Sequence, residues 1–291
     1  MKLIVITGPT ASGKSAMAVK LAQHCGCDII SADSRQIYKG IPIVTATPTP
    51  EEMGGVKHHF ISCLDLDQYF SAADFERMAI DVVKERSAVS DVIVMVGGSM
   101  LYVDAVTRGI DDLPTISPAV RKAAAEIYER RGLQGLRLEL LEYDPIYYRE
   151  VDLNNHKRLI HAIEICMEAG KPYSSLRTGN VRRRPFDISI FAIDRPREEL
   201  FDRINRRVDA MVEAGLEQEA RRVYDMRHLN SLNTVGLKEM FAYFDGEMDR
   251  ATAIERIKKN TRVYAKKQLT WMKRRPDIRL ISPDTDPTTL I

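Results

Sequence analysis

The sequence has few cysteines and no long apolar run. Its four cysteines are scattered over 291 residues without a CxxC pair, which predicts free, mostly buried thiols and neither a zinc site nor a disulfide framework. No stretch approaches the roughly 18 apolar residues that a membrane-spanning helix needs. The first residues enter an apolar run without the sections of a signal peptide. We therefore expect a cytoplasmic protein with no membrane contact, and we take it to be a monomer.

Net charge is also small, at +2, but it is unevenly distributed. Residues 249–280, which we call the basic block, carry eleven Lys and Arg against three acids, a net charge of +8. Such an asymmetry favours a polyanionic partner near the C-terminus. A solvated helix face is the alternative, and the charge alone does not separate the two.

Apolar runs rich in β-branched residues predict a parallel sheet. They are near-continuous rather than alternating, which is typical of strands buried on both sides, and they lie at 2–7, 28–32, 92–96 and 187–193, with a short one at 59–62. Helix-period stretches lie between and after them, at 14–24, 71–90, 198–225 and 250–275. Strands that alternate with helices predict an α/β fold with helices on both faces of the sheet.

The texture of the sequence changes after the first hundred residues. DDLPTISP is a punctuated boundary, and helical patterns follow it without a strand until the RRRP turn. We predict a core formed by residues 1–111 and 185–291, which includes the basic C-terminal helices, and an inserted helical domain at 112–184. The tail SPDTDPTT is expected to be frayed.

The stretch ITGPTASGKS follows the first strand and opens the first helix. It contains the pattern G-x-x-x-x-G-K-[ST] of a P-loop, in which backbone N–H groups and the helix N-terminus surround an anion. Lys14 reaches the terminal phosphates in such a loop, and the hydroxyl of Ser15 can hold Mg²⁺. A tight turn that binds nothing is the alternative. The pattern predicts a P-loop NTPase-like core whose phosphate-binding residues are Gly8, Pro9, Thr10, Ala11, Ser12, Gly13, Lys14 and Ser15.

Apart from the P-loop, P-loop NTPases use an acidic residue that is missing here from its usual place. They carry an acidic residue at the end of a later apolar strand to position Mg²⁺, whereas VIVMV runs here into GGSMLY. The nearest acid at the carboxyl edge of the predicted sheet is Asp33, where ligand sites of open α/β sheets lie. It can orient Mg²⁺ or take a proton from a nucleophile, and capping of the next helix is the alternative role.

Nine motifs, in their order and spacing, resemble the tRNA dimethylallyltransferase family, also called tRNA isopentenyltransferases. They cover the chain from residue 6 to about 273 and are GPTASGKS, ISADSRQIYKG, TATPT, GGVKHHFI, VGGSMLY, NNHKRLIHAIEI, RINRRVDAMVEAGLEQE, TVGLKEM and TRVYAKKQLTWMK. The resemblance implies that the P-loop holds the diphosphate of dimethylallyl diphosphate. It also implies that the acceptor is the exocyclic N6 amine of an adenosine beside the anticodon of tRNA. The bond broken would be carbon–oxygen, with diphosphate leaving intact.

Such a reaction needs charges that neutralise the leaving diphosphate, and Mg²⁺ is the expected cofactor. Arg203 and Arg207 of LFDRINRRV are four residues apart and share a helix face beside the predicted buried stripe. We predict that these two arginines clamp the diphosphate and take part in catalysis, while Arg206, nearly opposite the stripe, is solvated. Surface salt bridges with Glu199 or Asp202 are the alternative for the pair.

The resemblance also implies contacts with the target base. It makes Asp33 the catalytic residue that accepts the proton of the adenine amine. The segment that follows, Ser34, Arg35 and Gln36, would contact the target base and its neighbours together with Asp33. Ser99 stands where the family usually has threonine, and it would lie near the tRNA.

The acceptor adenine sits in a folded anticodon loop, so the enzyme must take it out of its stack. Lys157 and Arg158, in the predicted helical insertion, provide charge for the anticodon stem-loop, and the basic block provides more. Tyr264 and Trp271 are interleaved with that block. We interpret Trp271 as a core anchor of the last helix in preference to a stacking residue.

Three other functions stay open on the residues alone. The first is a small-molecule P-loop kinase. The second is a prenyltransferase that acts on free adenine nucleotides, against which the basic block argues because a free nucleotide needs no long basic surface. The third is a nucleic-acid-binding ATPase without transfer chemistry.

Overall fold

The computed structural model describes residues 1–291 and contains one six-stranded sheet in which every strand pairing is parallel. Its strands are β1 (Lys2–Thr7), β2 (Ile29–Ser31), β3 (His58–His59), β4 (Val92–Gly97), β5 (Asp187–Ile193) and β6 (Ile278–Ile281). They are arranged in the order β3-β2-β4-β1-β5-β6. The predicted parallel α/β sheet is therefore confirmed, with β3 shorter and earlier than expected and β6 in addition.

The two central strands are buried on both faces because their side chains are apolar throughout. Leu3 to Ile6 of β1 and Ile93 to Met95 of β4 have no exposed surface. Helices cover both faces of the sheet, since the inward side chains form two separate hydrophobic clusters, one containing Leu3 and the other Ile4. Alternate residues of one strand thus point into different cores.

The helices lie where the sequence predicted them, and several short ones were not predicted. They are α1 (Lys14–Cys25), α2 (Pro42–Thr45), α3 (Pro50–Met53), α4 (Ala72–Arg86), α5 (Met100–Arg108), α6 (Pro118–Tyr143), α7 (Pro145–Glu150), α8 (His156–Ala169), α9 (Tyr173–Leu176), α10 (Arg197–Glu213), α11 (Leu216–Arg222), α12 (Leu237–Phe244) and α13 (Arg250–Lys273). None of them is both long and apolar enough to cross a membrane.

The single helix predicted over 198–225 is two helices. Gly215 separates α10 from α11 with a backbone φ of 101°, a left-handed conformation that glycine adopts without steric cost. Leu200, Ile204 and Val208 are buried along α10 as the helical wheel predicted. This orientation fixes the direction in which the neighbouring arginines point.

The chain divides into two compact units. The first consists of Met1–Thr107 and Arg184–Ile291 and contains the whole sheet. The second, Arg108–Arg183, is helical, with α6 to α9 packed around Leu136, Leu140 and Leu159. The sequence analysis placed the boundaries of the insertion at 112 and 184.

The expected frayed tail is wrong. A short 3₁₀ turn at Pro287–Leu290 follows β6 and contacts α1. Leu290 is only 6% exposed and packs in the cluster that contains Ile4. The apolar end of the tail outweighs its polar composition because α1 offers it a surface to cover.

Candidate phosphate-binding active site

The P-loop lies at the edge of the sheet where the strands end. Thr7 is level with Gly97 of β4, and Ser31 of β2 is level with Val96. Because parallel strands end at one edge, the residues that follow β1, β2 and β4 meet there. These are the P-loop, Asp33 and Gly98.

Backbone geometry shapes the P-loop as a cradle for an anion. Gly8 and Gly13 have φ values of 149° and 99°, which other residues rarely adopt. The N–H groups of Gly13, Lys14 and Ser15 donate to no protein acceptor, as expected at the start of a helix. They are available to a phosphate, and the dipole of α1 favours negative charge at the same place.

Lys14 lies in this cradle, where its Nζ donates to the carbonyl of Pro9 at 3.3 Å. Burial and the nearby Arg207 lower the pKa of Lys14 to about 8, although the charge of Asp33 opposes them. Lys14 and Ser15 line an open cleft of about 830 Å³ that continues between α2, α3 and α10. The cleft has room for more than a phosphate group.

Arg203 and Arg207 both reach the P-loop from α10. The Nε of Arg203 donates to the carbonyl of Ala11 at 2.8 Å, and Arg207 lies 3.5 Å from the hydroxyl of Thr10. Burial lowers the pKa of Arg207, with Asp33 opposing the shift. Both arginines line the cleft, so the structure brings the predicted clamp and the phosphate-binding loop together.

The other charges of α10 make the surface ion pairs that were the alternative for this pair. Arg206 is exposed and bonds to Asp202 at 2.6 Å, which confirms its predicted solvation, and it also lines the cleft. Glu199 is bonded to Arg195, and the Nε of Arg195 donates to the carbonyl of Ser12 from behind the P-loop at 2.7 Å.

Asp33 combines a capping role with a place in the site. Its Oδ1 accepts the N–H groups of Arg35 at 2.9 Å and Gln36 at 3.3 Å, which stabilises the turn after β2. Oδ2 accepts no hydrogen bond from the protein. Asp33 lines the same pocket as Lys14 and Arg207, so the carboxylate faces residues that were predicted to bind phosphate.

The side chains after Asp33 are engaged by the protein itself. Arg35 donates to the carbonyls of Asn230, Ser231 and Asn233. Nε2 of Gln36 donates to the carbonyls of Thr45, at 3.1 Å, and Ala46, at 2.9 Å. Both side chains thus hold neighbouring loops in place, and a contact of either with RNA stays a prediction.

Ser34 and Ser99 also bond to each other. The N–H of Ser34 donates to the Ser99 hydroxyl at 2.8 Å, and that hydroxyl lies 3.2 Å from the Ser34 hydroxyl. Ser99 is buried, yet both serines line a pocket with Asp33 and Tyr264. The phenol end of Tyr264 is buried, which raises its pKa to about 12.

Gln268 of α13 is a site residue that the sequence analysis missed. It is 2% exposed. Its Oε1 accepts the N–H of Thr10 at 2.9 Å, and its Nε2 donates to the carbonyl of Gly98 at 2.8 Å. A polar residue on the buried stripe of α13, between Ala265 and Met272, is the signal that could have found it.

The sequence analysis also missed two further features near the site. Glu219 is fully buried and accepts the N–H groups of Ile43 and Val44 at 2.9 and 2.8 Å, and its burial raises its pKa. Gly97 approaches the neighbouring strand so closely that an added Cβ would lie 2.1 Å from the carbonyl oxygen of Ala32. No larger residue fits there without a shift of β2 or β4.

The remaining predicted residues lie outside this pocket. Lys157 and Arg158 are exposed in the first turn of α8, in the helical unit. Trp271 packs against the core and donates to Asp104 at 2.8 Å, which confirms it as an anchor. Arg275 of the basic block is buried and bonds to Asp104. Eight cations of the basic block are exposed: Arg250, Arg256, Lys259, Lys266, Lys267, Lys273, Arg274 and Arg279.

The parallel sheet, the glycine-bounded turn after β1 and the lysine in that turn define a P-loop α/β protein. Residues 36–275 match the family model described as IPP transferase. The chain belongs to the IPP transferase family, and it is therefore an enzyme of the transferase class.

Relatives of known sequence and structure support this assignment over nearly the whole chain. The chain is 51% identical over 282 residues to tRNA dimethylallyltransferase 2 of Parabacteroides distasonis, covering 97% of this chain and 94% of the relative. The crystal structure of the tRNA isopentenylpyrophosphate transferase of Bacillus halodurans is 36% identical, with a TM-score of 0.70, and the match covers 97% and 90% of the two chains. A eukaryotic dimethylallyltransferase acting on tRNA has 25% identity and a TM-score of 0.79 over 97% and 74% of the chains.

Proposed function

We propose that this protein transfers the dimethylallyl group of dimethylallyl diphosphate to the N6 amine of an adenosine next to the anticodon in tRNA. Diphosphate is the second product. The observation that carries the proposal is the match of nearly the whole chain to tRNA dimethylallyltransferases. The P-loop that faces a carboxylate, without the acid that NTPases carry after β4, supports it.

The carbon–oxygen bond of the donor breaks, and its electron pair leaves with the diphosphate. The allylic carbon gains positive charge as that bond lengthens, so stabilisation of the leaving group lowers the barrier. Lys14 and the amides of Gly13 and Ser15 bind the diphosphate from one side, with Arg203 and Arg207 on the other. Arginine suits this position because its planar fork matches phosphate oxygens.

Ser15 is the residue that would hold Mg²⁺. No group of three or more His, Cys, Asp and Glu side chains is arranged to hold a metal ion, and Mg²⁺ does not require one. It commonly takes one or two protein oxygens and completes its shell with water and substrate phosphates. The exposed hydroxyl of Ser15, beside Lys14 in the cleft, fits that role. The ion would neutralise part of the charge on the diphosphate.

Asp33 would orient the acceptor and take its proton. The N6 amine attacks the allylic carbon, a nitrogen–carbon bond forms, and the amine must then lose one proton. Oδ2 of Asp33 accepts no protein hydrogen bond, so it is available for that proton while Oδ1 keeps the turn in place. Asp33 acts late, because an aromatic amine is a weak acid until the new bond has formed.

The tRNA would be bound largely through its phosphates. Eight exposed cations of the basic block, together with Lys157 and Arg158, supply positive charge, and such contacts dominate nucleic-acid affinity. Ser34 and Ser99, which line a pocket with Asp33, would contact the target nucleotide. We expect the protein to act as a monomer in the cytoplasm, where tRNA is found.

One experiment tests the proposal directly. The protein is incubated with dimethylallyl diphosphate, Mg²⁺ and unmodified tRNA, and the nucleosides are analysed by mass spectrometry. We expect a prenylated adenosine, with a loss of about 10²-fold in rate for Arg207→Ala. Lys84→Ala is the control, since it removes an exposed ion pair with Asp81 on α4 and lines no pocket of the site.

Other outcomes would favour another function. Transfer of the γ-phosphoryl group of ATP to a small molecule, with no prenylated RNA, would indicate a kinase. Prenylation of free adenine nucleotides without prenylation of tRNA would indicate the second alternative. ATP hydrolysis stimulated by RNA, without transfer, would indicate an ATPase.

A further inference from the structure

Gln268 joins the P-loop to the end of β4 by two hydrogen bonds. Its amide orientation is determined, because the N–H of Thr10 can only donate and the carbonyl of Gly98 can only accept. The side chain is almost fully buried. It comes from α13, far along the chain, so its position is set by packing of that helix and not by the P-loop sequence.

The first consequence concerns the number of donors in the cradle. The N–H of Thr10 is bonded to Gln268, and the N–H of Ser12 donates to the carbonyl of Pro9 at 3.2 Å. The amides without a protein acceptor are therefore that of Ala11 and those of Gly13 to Ser15, at the start of α1. The half of the loop nearer to β1 therefore offers fewer N–H donors to an anion than a P-loop in which every amide is free.

The second consequence concerns the space beside β4. An added Cβ on Gly98 would lie 2.4 Å from Nε2 of Gln268, so the glycine permits the close approach of the amide. Gln268 and Asp33 line one pocket of about 80 Å³ with Lys14. A third phosphate that entered this pocket would displace the amide and approach the carboxylate.

We propose that Gln268 is a specificity-determining residue that restricts the P-loop to a diphosphate. It does so by keeping the Thr10 amide and the carbonyl at the end of β4 hydrogen-bonded to its own side chain. This inference rests on the proposed function, because it explains how a P-loop prefers a diphosphate donor to a nucleoside triphosphate. It also accounts for Gly98, which stands directly after β4 where NTPases carry an acid. Gln268 acts through Thr10 and Gly98 and is not itself a catalytic residue.

Binding of two inorganic anions measures the preference without the transfer reaction. Calorimetry with pyrophosphate and with tripolyphosphate, in Mg²⁺, gives the ratio of the two dissociation constants. In Gln268→Ala the freed amide and the vacated space should shift this ratio at least tenfold towards tripolyphosphate. Gln268→Met fills most of the space but frees the amide, so it should shift the ratio less. Thr270→Ala, on the exposed side of α13, is the matched control and should leave the ratio unchanged.

A purely structural role would give a different result. If Gln268 only holds α13 against the P-loop, both anions weaken together and their ratio stays at the wild-type value, which would overturn the proposal. Wild-type protein offers a second measurement that does not depend on the folding of any variant. In amide NMR during pyrophosphate titration, Gly13 and Lys14 should shift while Thr10 keeps its hydrogen bond; release of the Thr10 amide to the anion would contradict the inference.

The test separates this inference from the proposed function. Prenylated tRNA in the transfer assay, together with an unchanged anion ratio in both Gln268 variants, would support the proposed function and overturn the inference about Gln268. Absence of transfer, together with a shifted ratio, would support the inference about Gln268 and overturn the proposed function.

Discussion

The P-loop and the segment 33–36 lie at the same edge of the sheet, but they use their polar groups in opposite ways. The P-loop leaves amides of Gly13, Lys14 and Ser15 without a protein acceptor. The segment 33–36 commits most of its groups to the protein, with Arg35 and Gln36 bonded to carbonyls of neighbouring loops. One region keeps donors for a ligand, and the other builds the walls around it.

Polar residues near a site can be sorted by whether the protein already satisfies their hydrogen bonds. A buried donor without a partner costs about 1–3 kcal/mol, so a fold tolerates it only where something binds or water reaches it. A donor whose partners are all protein groups contributes to shape first. By this criterion Asp33 belongs to both regions, since one of its oxygens is committed and the other is not.

The largest expected effect tests that division within Asp33. Asp33→Asn keeps an oxygen for the N–H groups of Arg35 and Gln36 but loses the capacity to accept a proton. We expect the rate of prenyl transfer to fall about 10³-fold, with the affinity for pyrophosphate and the melting temperature nearly unchanged. Single-turnover kinetics and calorimetry measure the two. Near-normal transfer by the asparagine variant would show that the capping role is sufficient.

A smaller effect tests whether Arg35 stabilises the loops around the site. Arg35→Ala removes a charged donor from three carbonyls, and we expect it to lower the free energy of unfolding by about 3 kcal/mol. Chemical denaturation measures this. Lys39→Ala, which removes an exposed ion pair with Asp65, is the control and should cost under about 1 kcal/mol. Unchanged stability together with a loss of tRNA affinity would instead place Arg35 against RNA.

The smallest effect concerns the charge inside the P-loop. The pKa of Lys14 is lowered to about 8 in the free protein, so its positive charge is present below that pH and is lost as the pH rises through it. Affinity for pyrophosphate should therefore fall by about tenfold between pH 7 and pH 9. Lys14→Arg keeps its charge over this range and should remove most of the decline. An equal decline in both proteins would assign it to the anion itself.

Sequence predicted the parts of the site that local patterns encode. The P-loop is contiguous, and its glycines and lysine have a fixed spacing. Arg203 and Arg207 followed from the helical wheel, because the buried stripe of Leu200, Ile204 and Val208 sets their direction. Local pattern and tertiary packing agree in these elements.

The parts that sequence did not predict depend on contacts between distant residues. Gln268 reaches Thr10 across 258 positions of the chain, and Glu219 reaches Ile43 across 176. Neither residue type carries a periodic signal of its own, and charged or amide side chains on helices are usually exposed. The strand β6 was missed because only four residues form it, and two of them are exposed.

Gly97 connects the two regions compared above. Its missing side chain allows the ends of β2 and β4 to come together, with Asp33 following one strand and the partner of Gln268 following the other. The separation between the proposed proton acceptor and the proposed leaving-group pocket is thus determined by backbone contact, which does not adjust as flexible side chains do. A single methyl group at position 97 would widen the gap that the migrating carbon has to cross, without changing any residue that touches either substrate.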